Sequence, residues 1–203
     1  RALDVAATGE TRVSDVIHLT LTGHDGAEVS RISVNVSGFG MNGEVVQRAN
    51  RSSKRLGGTA TFVGATLGAL ASYKPPPVVL EWVDDGGEEV RWEGLLTSAF
   101  LANGAYCGGG MWVGRGGSMQ DGLIDLVLIP KLPMVRMAFG FPRLFTGTPE
   151  AVTGIMRARI KSLRASTTST DPVRVDVDGE QPGCLPLRAE ILSGVLKLRG
   201  VWQ

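Results

Sequence analysis

Apolar residues return at every second position through most of this chain, the spacing of strands with one face buried. Residues 16–22 and 29–36 are the first two such runs. If the chain reverses at Gly23-His24-Asp25-Gly26, Ile17, Leu19 and Leu21 oppose Ile32, Val34 and Val36, which predicts a hairpin. Residues 78–83 and 88–93 flank Asp84-Asp85-Gly86-Gly87, a second hairpin signal, and 95–102 continues as a mostly apolar, buried strand. Further strands are expected over 123–129 and over the basic, alternating run 157–165. Val173, Val175 and Val177 then alternate with Arg174, Asp176 and Asp178 before the chain meets Gly179 and a Pro182-Gly183 turn. Residues 187–192 and 195–201, joined through Ser193-Gly194, read as a closing hairpin.

Helical spacing is confined to a few places. Residues 1–9 suggest the end of a helix closed by Gly9. Residues 44–73 carry two helical patterns broken near Gly57-Gly58, and Pro75-Pro76-Pro77 stops them. Residues 130–145 are apolar nearly all round, which reads first as a core helix; its methionines would also suit a lipid-lined pocket or a membrane surface. Many short strands with tight turns and only two or three helices, near 44–72 and 131–146, predict a mainly β (α+β) fold: an antiparallel β-sandwich with helices at one edge. Residues 1–14 are assigned to a helical segment or linker that precedes the sandwich, and residues 15–203 to the sandwich.

Composition narrows the class. With 43% apolar and 20% charged residues, the 203 positions describe a globular chain with a real core. A net charge of +1 gives no electrostatic footprint for nucleic acid. Cys107 and Cys184 lie far apart with no metal-ligand spacing, which favours a reduced, intracellular setting. No apolar run approaches the ~20 residues of a membrane span. The chain starts without an initiator Met or a signal peptide, so it reads as part of something longer.

Candidate chemistry sits at the strand ends. Gly38, Gly40 and Gly43 lie where a strand passes into a helix, but their spacing fits no phosphate-binding loop, and close backbone packing explains them better. Gly108-Gly109-Gly110 would let backbone approach something closely. Asp121 and Asp125 flank a turn whose carbonyls could complete an oxygen cage for Mg²⁺ or Ca²⁺. Asp178 and Glu180 stand where a half-buried strand opens to solvent, a position suited to accepting a proton; a solvated strand end is the plain alternative. His18 and His24 lack partners at ligand spacing.

Three stretches together resemble the C-terminal half of the diacylglycerol kinase-like bacterial lipid kinases, which are related to sphingosine kinases. They are Val36-Ser-Gly-Phe-Gly-Met-Asn-Gly-Glu-Val-Val46, then Asn103-Gly104 through Gly108-Gly-Gly-Met111 to Asp121-Gly-Leu-Ile-Asp125, then Asp178-Gly179-Glu180 followed by Pro186. Their order fits from about Val13 to Leu198. The resemblance implies the C-terminal domain of the diacylglycerol kinase/NAD kinase-like fold, and ATP-dependent phosphorylation of a lipid hydroxyl, as in diacylglycerol. It also implies Asp178 as general base, Glu180 as the residue that orients it or the metal, and Mg²⁺ held by Asp121 with the backbone carbonyls of Ser118 and Leu123. Two departures touch the metal site: Val113-Gly-Arg115 stands where such proteins have Ala-Pro, and Gln120 where a second Asp is common.

The Gly-Gly-Asp-Gly-Thr and Gly-Thr-Gly-Asn-Asp segments that hold nucleotide in such proteins do not occur in these 203 residues. The implied partners are therefore the lipid, a separate N-terminal nucleotide-binding domain bringing ATP as co-substrate, a membrane surface met peripherally, and a second copy in a homodimer. The implied location is cytoplasmic, peripheral to a membrane. A non-catalytic lipid-binding or regulatory module on the same fold is the alternative.

Overall fold

A computed structural model describes residues 2–51, 72–114 and 118–200. Among them, helix α1 (Ala2–Thr8) precedes strands β1 (Glu10–Gly23), β2 (Glu28–Ser33) and β3 (Val36–Gly40), then helix α2 (Met41–Arg51). Strands β4 (Pro77–Asp84), β5 (Glu89–Ala102), β6 (Tyr106–Cys107), β7 (Met111–Trp112) and β8 (Ile124–Pro130) follow. Helix α3 (Met134–Phe145) and a single 3₁₀ turn (Pro149–Ala151) lead to β9 (Met156–Thr167), β10 (Arg174–Val177) and β11 (Glu180–Gly200). The second helical pattern expected before residue 73 lies outside the described residues.

The fold is mainly β, and every strand pairing is antiparallel. Nine strands join one sheet in the order β2-β1-β11-β10-β3-β5-β4-β9-β8, and β6–β7 pair apart. Where two separate layers were expected, this sheet curls onto itself: β11 also pairs with β9, closing β11-β10-β3-β5-β4-β9 into a ring. The C-terminal half of β5 pairs with β8. Register shifts at Leu96/Ser98 and Val83/Asp84 bend the strands enough to close. Closure leaves the ring without unpaired edges.

Ile17 and Leu19 of β1 share one buried cluster with Phe39, Leu80, Leu101 and Val175 of the ring strands. A second cluster includes Val36, Phe100, Val127, Ile129 and Leu144. Phe100 and Leu101 are neighbours in β5 yet serve different clusters, so this strand is apolar on both faces. That explains its unbroken apolar run.

Three turns differ from expectation. Ile17 pairs with Ser33 and His18 with Ile32, a one-residue offset that leaves Ile32 49% exposed. The turn sets this register, with the Gly23 N–H donating to the Ala27 carbonyl. The Asp178-Gly179 pair, not Pro182-Gly183, connects β10 to β11: Val177 pairs with Glu180, and both turn residues have positive φ (49° and 89°). Ser193-Gly194 is a bulge rather than a turn. β11 runs unbroken along β1 from Gly23↔Gly183 to Glu10↔Gly200. Buried Asp15 holds the bulge, its carboxylate accepting the N–H groups of Gly194 and Gly122 at 2.7 Å each.

β1 starts at Glu10, so the first 14 residues hold α1 and the opening of β1. The Arg199 Nη1 donates to the carbonyls of Ala6 and Ala7, capping the end of α1 and tying it to β11.

Candidate functional site

The glycine-rich exit from β3 brings α2 hard against the sheet. A Cβ on Gly38 would strike the Asn42 amide, and one on Gly43 would come within 2.6 Å of Arg174 on β10. Asn42 Nδ2 donates to the Ala99 carbonyl at 2.9 Å and its Oδ1 accepts from Ser98, so α2 is bolted to β5. Close packing, not phosphate binding, accounts for these glycines. The three glycines at 108–110 are likewise turn formers: all have positive φ, they link β6 to β7, and a Cβ on Gly110 would meet nothing within 4 Å. The close approach expected there is absent at Gly110.

Between α2, α3, the β6–β7 hairpin and the outer faces of β3, β5 and β8 lies a cavity of about 300 Å³. Its wall is largely apolar, with Val45, Phe100, Met111, Ile129, Met137 and Leu144 among the lining residues. The helix at 134–145 packs into the core through Leu144 and also lines this cavity through Met137, Gly140 and Leu144. At the polar end stand Asp176, Asp178 and Gly179, with Asn35 and Cys107. Glu180 is exposed at the first position of β11 and does not line the cavity.

The two aspartates are held differently. Asp178 Oδ1 accepts from the Ser33 hydroxyl (2.8 Å) and from the N–H groups of Asn35 (3.1 Å) and Val36 (3.0 Å). Its Oδ2 accepts from the Val34 N–H at 2.8 Å. Four donors from residues 33–36 thus converge on one carboxylate, and the Asp178 N–H returns a bond to the Val36 carbonyl. The carboxylate expected to act as base is committed to holding the β2–β3 connection.

Asp176, two residues back on the same strand, has only its Oδ1 engaged, by the Gly179 N–H at 2.8 Å. Its Oδ2 makes no hydrogen bond among the described residues. Burial pushes its carboxyl up to about 7; the Asp178 charge adds to that, and the Gly179 N–H opposes it. Burial likewise pushes the Cys107 thiol up to about 12, with the Asp176 charge adding. Sequence alternation placed Asp176 on the polar face of β10 but could not show that α2 and α3 roof that face over.

At the other candidate site, Asp121 Oδ2 lies 2.6 Å from Arg159 Nη2 and accepts the Ser118 N–H at 2.9 Å, while Oδ1 accepts the Leu123 N–H at 3.0 Å. The Ser118 carbonyl accepts the Asp121 N–H at 3.3 Å. Gln120, where a second carboxylate was wanted, donates to the Val13 carbonyl. Nearby Asp125 is 4% exposed, and burial pushes its carboxyl up while Arg157 and Arg159 pull it down. Ser118 and Leu123 thus offer amide donors to Asp121, and a guanidinium supplies the positive charge. This donor set does not fit Mg²⁺. Among the described residues no group of three or more His, Cys, Asp or Glu could hold a metal. His18 bridges Glu190 and Ser30, and His24 bonds the Gln181 carbonyl, so both serve strand packing.

The fold of this curled antiparallel sheet is shared with solved structures that carry a diacylglycerol kinase name. A crystal structure of a diacylglycerol kinase from Bacillus anthracis str. Sterne aligns with a TM-score of 0.57 at 16% identity, covering 94% of this chain and 54% of that one. Another Bacillus anthracis structure carrying a diacylglycerol kinase name aligns at 0.64 and 21%, covering 94% of this chain and 57% of its own. At these identities the likeness is one of fold. The chain belongs to the family of the YegS C-terminal NAD kinase beta sandwich-like domain, whose profile matches residues 35–200. It is similar to the "Probable lipid kinase YegS-like" proteins of Stenotrophomonas maltophilia (strain K279a), 25% identical over 165 residues, and Xanthomonas axonopodis pv. citri (strain 306), 24% identical over 164. In both comparisons 81% of this chain aligns with 51% of the relative, so the chain spans about half their length.

Two outcomes follow from this geometry. Asp178→Asn keeps a side chain that tolerates positive φ but sets an amide N–H₂ against the Val34 N–H or the Oδ1 donors. It should lower the unfolding free energy by ~1–3 kcal/mol in urea titrations, where a solvated acid would cost no more than ~0.5. Thermal unfolding should be the same in EDTA and in millimolar Mg²⁺. A gain of ~2–4 °C with Mg²⁺, equivalent to about 1 kcal/mol in a chain of this size, would instead show a cation bound at Asp121.

Proposed function

We propose that this chain is the acceptor-substrate half of an ATP-dependent lipid kinase that phosphorylates the hydroxyl of a neutral lipid such as diacylglycerol. The observation that carries this reading is the apolar cavity of about 300 Å³ that ends at Asp176 and Asp178, within a chain of the YegS C-terminal family. That volume is at the lower end for small-molecule sites and suits part of one acyl chain. In this reading the lipid lies against α2 and α3, its hydroxyl reaches the acidic corner, and the N-terminal half brings ATP to the open side.

Phosphoryl transfer asks little covalent chemistry of the protein; it asks for a positioned hydroxyl, an acceptor for one proton and neutralisation of the phosphates. Mg²⁺ arriving with ATP would supply that last part. This chain's residues supply the apolar wall, the exclusion of water from the lipid tail, and the carboxylates at the corner. Asp178 contributes by fixing residues 33–36, and Glu180, exposed beside the turn, is available to the nucleotide-bearing half. Val135 (67% exposed) and Phe145 (36%) on α3 favour a peripheral approach to a lipid surface. No helix among the described residues is long and apolar enough to cross a membrane.

One observation favours the second reading, a non-catalytic lipid-binding module: the expected base, Asp178, already holds four hydrogen bonds. The two readings part in a single assay. The full-length encoded protein, given labelled ATP, Mg²⁺ and mixed micelles of diacylglycerol or a sphingoid base, should transfer phosphate to lipid. Lipid binding with no turnover on any neutral lipid alcohol would establish the module instead.

A further inference from the structure

Asp176 is a cavity residue outside the sequence motif, and the fold uses only one of its carboxylate oxygens. Asp178, which the motif singles out, spends its carboxylate on residues 33–36. Asp176 spends one oxygen on the Gly179 N–H and keeps the other, with no partner among the described residues, at the polar end of an apolar chamber. That second oxygen is not among the fully buried atoms that lack a partner, so it stays within reach of a ligand entering the chamber. The geometry points to Asp176 as the group that recognises the lipid: its free oxygen takes the hydrogen bond of an uncharged lipid hydroxyl and discriminates against lipids whose head is anionic. This rests on the lipid-cavity reading above and adds the residue that sets its specificity.

The charges around the chamber support that selectivity. Among the described residues, the titratable or charged groups lining it are Asp176, Asp178, Cys107 on β6 and Arg136 on α3. The other lining residues, from α2, β3, β5, β8 and the turns, are uncharged. Arg136 is exposed, and Asp178 stands beside Asp176 at the polar end. A neutral hydroxyl can bond either form of Asp176, donating to the carboxylate or accepting from the acid. A carboxylate or phosphate head can bond only the protonated form and is repelled by the ionised one. Because the Asp176 carboxyl titrates at about 7, this repulsion is weak on the acid side of neutrality and grows as pH rises.

The test is calorimetric titration of this chain with a monoacylglycerol and with the free fatty acid of the same chain length, both below their micellar concentrations. In the wild type, monoacylglycerol affinity should be flat between about pH 6 and pH 8. Fatty-acid affinity should fall roughly tenfold over the same range, following loss of the protonated acid across one titration. Asp176→Leu, close in shape but without a polar atom, should weaken monoacylglycerol about tenfold, the worth of one hydrogen bond. Asp176→Asn, which guards against a folding defect in the leucine variant, should abolish the wild-type pH dependence for fatty acid. A role in packing alone would leave that profile unmoved. Wild-type affinity in the leucine variant, or an unchanged pH profile in the asparagine variant, overturns the assignment while leaving the lipid cavity in place. If the wild type binds no neutral lipid alcohol, the assignment and the lipid-cavity reading both fall.

Discussion

One carboxylate organises the functional end of this molecule. Residues 33–36 leave an edge strand, β2, and enter β3 inside the closed ring, and their amide groups need acceptors at the crossing. Asp178 supplies them from the β10–β11 turn, 145 residues away from Ser33 in sequence. The same turn requires two residues of positive φ, which Asp tolerates and Gly prefers. With the turn fixed, β10 is locked against β3 in the register Val175↔Phe39 and Val177↔Ser37. The valines then point into the core, and Asp176 between them must face the other side.

That other side would be solvent in a plain antiparallel sheet. Here α2 is drawn down by the bare backbones of Gly38 and Gly43, and α3 closes over Phe100 and Ile129. A carboxyl that strand alternation would leave in water is thus half enclosed, and burial raises its proton affinity. Two carboxylates on one short segment therefore divide their work: one is saturated with donors and shapes the site, the other keeps an unused oxygen inside it. Arg159 does comparable structural work at the far loop, supplying the cation that Asp121 would otherwise need from solution.

Much of the strand pattern was legible because it followed a period of two with strong turn residues, as at Asp84-Asp85-Gly86-Gly87 between β4 and β5. The order of the three glycine and acid motifs also carried the family. Register and closure were not legible. Ile32 looks like a core residue in alternation, but β2 lies at the sheet edge, where exposure of an apolar side chain is cheap. Ser193-Gly194 reads as a turn because local sequence cannot see Asp15, whose carboxylate turns it into a bulge. Asp178-Gly179 stands out in sequence for its acidity, although Asp-Gly is also a strong hairpin signal. The hydrogen bonds that occupy Asp178, and the helices that enclose Asp176, come from segments remote in sequence.

The functional end depends on Asp176 being a half-enclosed carboxyl whose proton affinity is raised by burial. Carboxyl-carbon NMR of this chain, assigned through Asp176→Asn, reads that property directly. The Asp176 signal should titrate with a midpoint near 7. A midpoint near ~4, the range of a carboxyl open to water, would contradict the account.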